Sequence, residues 1–187
     1  MARSGAVVVL DRAAQVAAGI NLLATTRLMV GVPADRSSRS DGVSNADLAY
    51  IHNNGAPEVG IPPRPHLEPG IRRVQGQTVE GLRRAAQLAL EGRPDAVERQ
   101  LNVIGLRAVS SIRQVIVEDI PPPLKYATVM GRIRRRASKS WRAERRAAVR
   151  ANVEAGAAPG AGLFTALLDT GAYMRSISYV IRKVLRA

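Results

Sequence analysis

The sequence predicts an α+β domain: a small, mostly antiparallel sheet packed by two long helices, with a basic helical or flexible insertion. Three observations carry this expectation. Short β-branched runs lie near both ends of the chain, at about 6–10, 25–32 and 173–182. Two long central stretches place apolar residues at helical spacing. Proline and arginine then concentrate in separate segments between those elements.

Size and composition fit one domain spanning 1–187. Hydrophobic residues make up 46% of the chain, enough for a core. Aromatic residues are only 3%, so Val, Ile, Leu and Ala must fill it. Alanine-rich packing buries little area per residue, which predicts a thin core and burial supplied by neighbouring subunits.

In chain order, Ala6 to Leu10 reads as a strand. Asp11 to Ala24 reads as a helix with Asp11 as N-cap. Thr25 to Val32 returns to strand character and stops at Pro33. Ala34 to Gly42 is a polar loop. Ser44 and Asp47 have the spacing of a variant capping box, opening a short helix with Leu48, Ala49 and Ile51 on its apolar side. Gly55 ends that helix, where a left-handed conformation suits glycine.

Ala56 to Pro69 holds Pro57, Pro62, Pro63, Pro65 and Pro69, and is expected to be extended and stiff. A helix is expected from about Pro69 to Glu91, with Ile71, Val74, Val79, Leu82, Ala86 and Ala89 on its buried side. Gly92-Arg93-Pro94 breaks it, and Asp95 with Glu98 resembles a capping box for a second helix. That helix carries Val97, Leu101, Ile104, Ala108, Ile112 and Val115 as its stripe and ends at Pro121-Pro122-Pro123.

The basic insertion, at about 125–160, comes next. Ala, Arg and Glu around 141–155 favour helix, yet few large apolar residues are present and no buried face is predicted. Gly156 to Gly162 reads as a flexible joint. Tyr173 to Arg182 alternates with period two and is expected to be the last strand, joining the two early ones.

Several kinds of chemistry are excluded by residue type. Without cysteine there is no disulfide, thiolate metal site or cysteine nucleophile. His52 and His66 are the only histidines, too few for a His-rich metal site. No metal or cofactor site is predicted, and no enzyme. His52 has no identifiable carboxylate or nucleophile partner and reads as structural. Leu167-Leu168-Asp169-Thr170-Gly171-Ala172 resembles the aspartic-protease motif, which supplies one aspartate per subunit of a dimer. The 16 residues after Gly171 are too few for the flap and downstream segment it needs, and the one similar segment, Val103-Ile104-Gly105, lies upstream. Turn and cap formation explains those residues better. Gly156 to Gly162 lacks the Lys-Ser or Lys-Thr of a phosphate-binding loop. No apolar run approaches the roughly 18 residues of a membrane span.

The strongest physical signal is charge. Lys and Arg number 28 against 15 Asp and Glu, a net +13. Arg132, Arg134, Arg135, Arg136, Lys139, Arg142, Arg145, Arg146 and Arg150 form the densest run. Arginine grips phosphate bidentately without reading sequence. This run is therefore the candidate contact to DNA or to an acidic protein partner. With only Tyr126 and Trp141 nearby for stacking, base recognition is not expected. A solvated arm without a partner is the bland alternative, and a non-specific nucleic-acid-binding protein of cellular type is the second function.

Four segments, in order, resemble one family. They are Val30-Gly31-Val32-Pro33-Ala34; Asn45 to Gly55; Ile61-Pro62-Pro63-Arg64-Pro65-His66-Leu67; and Leu168 to Gly171 followed by Ser176-Ile177-Ser178-Tyr179. Together they are similar to the virion-morphogenesis and tail-completion family of tailed bacteriophages, the small neck or head–tail joining proteins. The resemblance implies a structural subunit of a homo-oligomeric ring, sixfold or twelvefold, around the DNA channel. Its implied partners are portal-side connector proteins, tail tube proteins and packaged DNA, with no membrane. Its implied location is the virion neck, with the host cytoplasm during assembly. His52, Gly55, Ile61, Pro62, Pro63, Arg64, Pro65, Asp169, Thr170 and Gly171 become the candidate subunit or partner contacts. The family implies no catalytic residue and no cofactor. Residues 132–158 are longer and more basic than the corresponding family segment.

Overall fold

The structure is a computed structural model that describes residues 12–33 and 42–184. The expected strand at 6–10, the expected N-cap Asp11 and most of the loop after Pro33 lie outside the described residues. The fold is α+β. Among the described residues it has eight α-helices and a two-stranded antiparallel sheet. Strand β1, Thr26–Gly31, pairs with β2, Ser178–Lys183.

Helix α1, Ala13–Thr25, runs directly into β1. The switch is tied locally, because Thr26 Oγ1 donates to Leu22 O at 2.6 Å. Further along are α2 (Asn45–Asn54), a 3-10 turn (Pro57–Val59), α3 (Leu67–Arg73), α4 (Gln75–Leu90) and α5 (Pro94–Val117). The last helices are α6 (Tyr126–Arg134), α7 (Lys139–Glu154) and α8 (Ala172–Ser176).

Contacts divide the chain into two compact units. Among the described residues, the first comprises 12–29, Gln75–Gly105 and 180–184. Its core is Ala85, Ala89, Val97, Leu101 and Ile104, flanked by Leu22, Leu23, Leu28 and Ile181. Here α1 packs on α4 through backbone. A Cβ at Gly19 would lie 2.4 Å from Ala89 O, and one at Gly81 would lie 2.8 Å from Ile104 Cγ1. The buried face of α4 is thus Gly81, Ala85 and Ala89, spaced by four. This corrects the expected stripe, since Ile71, Val79 and Leu82 are exposed. The expectation weighed hydrophobicity, whereas close helix approach selects small size. The expected single helix of 69–91 is also two, with Val74 between α3 and α4.

The second unit comprises Val30–Val74 and Leu106–Tyr179. One of its clusters joins Ala49, Val109, Ile112, Ile116, Leu167, Tyr173 and Ile177. The α5 stripe is buried as expected throughout: Val97, Leu101, Ile104, Ala108, Ile112 and Val115. Its start differs, because Pro94 opens the helix and leaves Asp95 inside the first turn, where a negative charge still favours the helix dipole. On the far side of Ile112, α3 comes so close that a Cβ at Gly70 would lie 2.6 Å from Ile112 Cα. Ser111 Oγ donates to Gly70 O at 2.7 Å across the same contact.

A second cluster in this unit corrects the reading of the basic insertion. Leu124, Val129, Ile133, Val149 and Ala166 are buried together, with Met130, Trp141, Leu163 and Phe164 packed around them. The insertion is a helical pair with its own core, and the expected joint is anchored on it at one point, where Gly160 is buried against Val129. The apolar residues are too sparse for any periodicity to register, yet single aliphatics on two facing helices suffice to close a small core.

The expected last strand is also shortened. Gly171 takes φ 76°, and Ala172–Ser176 is helical before β2 begins at Ser178. Tyr173 and Ile177 are both buried. A spacing of four satisfies one helix face as well as one strand face, so alternation alone did not separate the two.

Candidate functional site

The region after α2 folds back on its own unit. A 3-10 turn at Pro57–Val59 is closed by Ala56 and Ile61, whose backbones exchange hydrogen bonds of 2.9 and 3.0 Å. Gly55, at φ 78°, packs so tightly that a Cβ would sit 2.8 Å from Pro63 N. Arg64 N–H then donates to His52 O at 2.7 Å. The proline segment is free of helix and strand from Pro62 to Pro65, as expected. Its two ends are not: the 3-10 turn opens it, and α3 starts at Leu67 with Pro69 in its first turn.

Arg64 is a buried side chain, 7% exposed, whose Nη2 donates to Pro122 O at 2.7 Å. Its Nε is buried with no hydrogen-bond partner. His66 is fully buried beside it. His66 Nδ1 lies 2.8 Å from Arg64 O and Nε2 is bonded to the Tyr173 hydroxyl. A carbonyl only accepts, so Nδ1 carries the proton and Nε2 accepts from Tyr173. Burial holds the His66 pKa below its ordinary value and pushes that of Tyr173 up. His52 meets the Tyr173 ring edge-on, with centroids 5.2 Å apart. His66 and Tyr173 were missed as site residues by sequence reasoning, which sees no link between positions that far apart.

Arg132 corrects the list of candidate DNA contacts. It is 7% exposed and spends its guanidinium inside the unit. Nη1 donates to Thr165 O at 2.7 Å and Leu168 O at 3.1 Å, and Nη2 to Ala166 O at 2.6 Å. Those carbonyls belong to one turn, whose own bond from Leu168 N–H to Thr165 O is 3.3 Å long, and buried carbonyls need donors.

Asp169, the aspartate of the protease-like string, is paired with Arg135 at 2.5 Å and Arg136 at 3.6 Å. Thr170 Oγ1 accepts from Ala172 N–H at 3.3 Å, and Gly171 turns the chain into α8. These three residues form a turn tied to α6, in keeping with their turn reading.

Arg145 is half-buried and stacks over Trp141, 5.5 Å from the ring centroid. Arg134, Lys139, Arg146 and Arg150 are exposed and Arg142 half-buried. Among the described residues none of these five has an ion-pair partner. Lys139, Arg142, Arg146 and Arg150 follow steps of three and four, which aligns them along one side of α7. The candidate basic surface is therefore five residues rather than nine.

Between the Ile61–Pro63 and Pro122–Lys125 segments lies an open cleft of about 670 Å³, whose lining includes His52, Arg64, Arg132 and Leu167. Of the expected partner contacts, His52, Ile61, Pro62, Pro63 and Arg64 meet there. Asp169, Thr170 and Gly171 line a smaller neighbouring pocket together with His52 and Arg132. Among the described residues no group of His, Cys, Asp or Glu is arranged to hold a metal ion, and no helix is long and apolar enough to cross a membrane.

Comparison of the chain with protein-family models, characterised proteins and solved structures finds no match.

Proposed function

We propose that this chain is a structural subunit of the neck of a tailed-phage virion, a ring-forming tail-completion component that joins the DNA-filled head to the tail. One observation supports this reading above the rest. The four segments that carry the family resemblance are scattered over the sequence but build one core. Val30, Val32, Leu48, Leu67 and Tyr179 all pack on the cluster of Ile112, Ile116 and Tyr173. Segments that jointly define a fold are the ones a family resemblance retains. The basic side of α7 supplies a surface for packaged DNA or an acidic connector ring. The tight turn at Asp169–Gly171 and the proline cleft offer rigid, pre-ordered contact surfaces, which lose little entropy on assembly.

The test is quantitative peptide mass spectrometry of density-purified virions from the source strain, with this chain counted against the portal. One copy or half a copy per portal subunit is the expected ratio. Absence from particles would sink the neck reading.

A second reading rests on the same five unpaired cations: a non-specific nucleic-acid-binding protein. It predicts that the isolated chain binds any DNA, with affinity falling steeply as salt rises. Sequence-independent binding by a chain absent from virions would select it.

A further inference from the structure

The neck reading takes the cleft between Ile61–Pro63 and Pro122–Lys125 only as a rigid contact surface, yet its lining has a chemistry of its own. Proline makes up a third of its lining: Pro57, Pro62, Pro63, Pro122 and Pro123. Proline has no N–H, so these residues offer only carbonyl oxygens and apolar ring surface. Leu124 and Leu167 add further apolar lining.

Two guanidiniums, those of Arg64 and Arg132, are also part of that lining. Both arginines are buried residues, and among the described residues neither has a carboxylate at ion-pair distance. They are near enough for Arg64 to depress the pKa of Arg132. The closest counter-charges, Asp119 and Asp169, have other duties: Asp119 Oδ1 accepts from Ala166 N–H at 2.7 Å, and Asp169 pairs with Arg135. Arg64 keeps one buried Nε donor unpartnered. At the rim, Lys125 Nζ reaches only a carbonyl, Gly60 O at 3.2 Å. Buried cations are ordinarily matched by an anion, because an unmatched one has lost its hydration without replacement. Here Asp119 and Asp169 offset the two charges only from beyond ion-pair distance, and an open cleft leads to the guanidiniums.

We propose that this cleft binds a short extended peptide segment of a partner protein, with one acidic side chain directed at Arg64 and Arg132 and apolar flanks on the prolines. An acidic peptide with apolar neighbours brings what the walls lack: a carboxylate for the guanidiniums, beside apolar surface for the proline rings. The volume lies within the usual range for binding clefts, about 300–1,000 Å³. Rigid walls pre-order the site.

The experiment uses the full ¹⁵N-labelled chain and follows the arginine Nε–Hε resonances. The probes are an array of capped pentapeptides with a central glutamate between apolar residues, and the same array with glutamine. Benzoate, inorganic phosphate and a single-stranded oligonucleotide serve as other anions. Members of the glutamate array are expected to shift the Arg64 resonance saturably, with the glutamine partners at least tenfold weaker. Arg64→Gln is the direct variant, but a buried arginine is hard to replace without harming the fold. Thr128→Trp is the second, because Thr128 is exposed on the cleft lining and a large ring there fills the space. It is expected to keep the unfolding temperature and lose peptide binding. No glutamate peptide shifting Arg64, equal binding of the glutamine array, or undiminished binding by Thr128→Trp overturns the proposal. So does saturation by benzoate, phosphate or the oligonucleotide where every peptide fails. Virion content is untouched by any of these outcomes, so the cleft and the neck reading fail separately.

Discussion

Burial of His66 and Tyr173 ties the stability of the second unit to pH at both ends of the scale. His66 is neutral in the fold because burial lowers its pKa below the ordinary 6.5. Below that pH the unfolded chain binds a proton that the folded one refuses, so stability falls with acidification. Tyr173 behaves in the opposite sense: burial raises its pKa above the ordinary 10.0, so stability falls as pH rises through that value. Chemical denaturation from pH 4 to 11 is expected to give a plateau with losses at both ends. In His66→Gln the acid loss attributable to His66 disappears; an unchanged acid limb would assign it elsewhere. Glycines make a second prediction. Gly19→Ala and Gly70→Ala push a methyl group into backbone and are expected to lose about 1–3 kcal/mol. Gly131→Ala meets nothing within 4 Å on α6 and is expected to gain about 0.5–1 kcal/mol. Urea midpoints at equal m-values measure all three.

At the scale of elements, α7 separates burial from charge. Val149 of α7 and Ile133 of α6 are fully buried. Ile133→Ala is expected to cost about 2–5 kcal/mol by thermal or urea unfolding. Replacing Arg134, Lys139, Arg146 and Arg150 together with glutamine is expected to leave the melting temperature nearly unchanged, since these side chains are exposed and unpaired. If either proposed function holds, the same variant is expected to lose binding to DNA or to an acidic partner ring, read by co-sedimentation at two salt concentrations. Unfolding of this variant would mean that α7 is held by charge and not by its small core. Arg132, Arg135, Arg136 and Arg145 are left out because they bond the 165–169 turn or stack on Trp141. The capping box of α2 was legible in full, with Asp47 N–H donating to Ser44 Oγ at 3.0 Å and Ser44 N–H to Asp47 Oδ2 at 3.3 Å. It is a local interaction over three residues, and sequence spacing describes it completely. The α4 face was misread because its partners, Gly19 and Ile104, come from distant segments that no local pattern reveals.

At the scale of the molecule, α5 is the element on which both units depend for core. Val97, Leu101 and Ile104 serve one unit, and Val109, Ile112 and Ile116 the other. Ile112→Asp is expected to prevent cooperative folding, because a carboxylate placed there has no partner and no water. A cooperative unfolding transition retained by that variant, in calorimetry, would remove Ile112 from the core. The sequence by itself determined the α+β class, β1, the proline break between Pro62 and Pro65, the α2 capping box and the complete α5 stripe. All of these rest on local propensity or on a bulky periodic pattern. Only the tertiary structure decided that the basic insertion has a core, that α4 packs by its smallest residues, and that Tyr173 begins a helix. It alone decided which arginines are free. A guanidinium reads the same in sequence whether it faces water, as at Arg150, or turns inward to three carbonyls, as at Arg132. The difference lies in the acceptors the rest of the chain brings to it, and those acceptors exist only once the chain has folded.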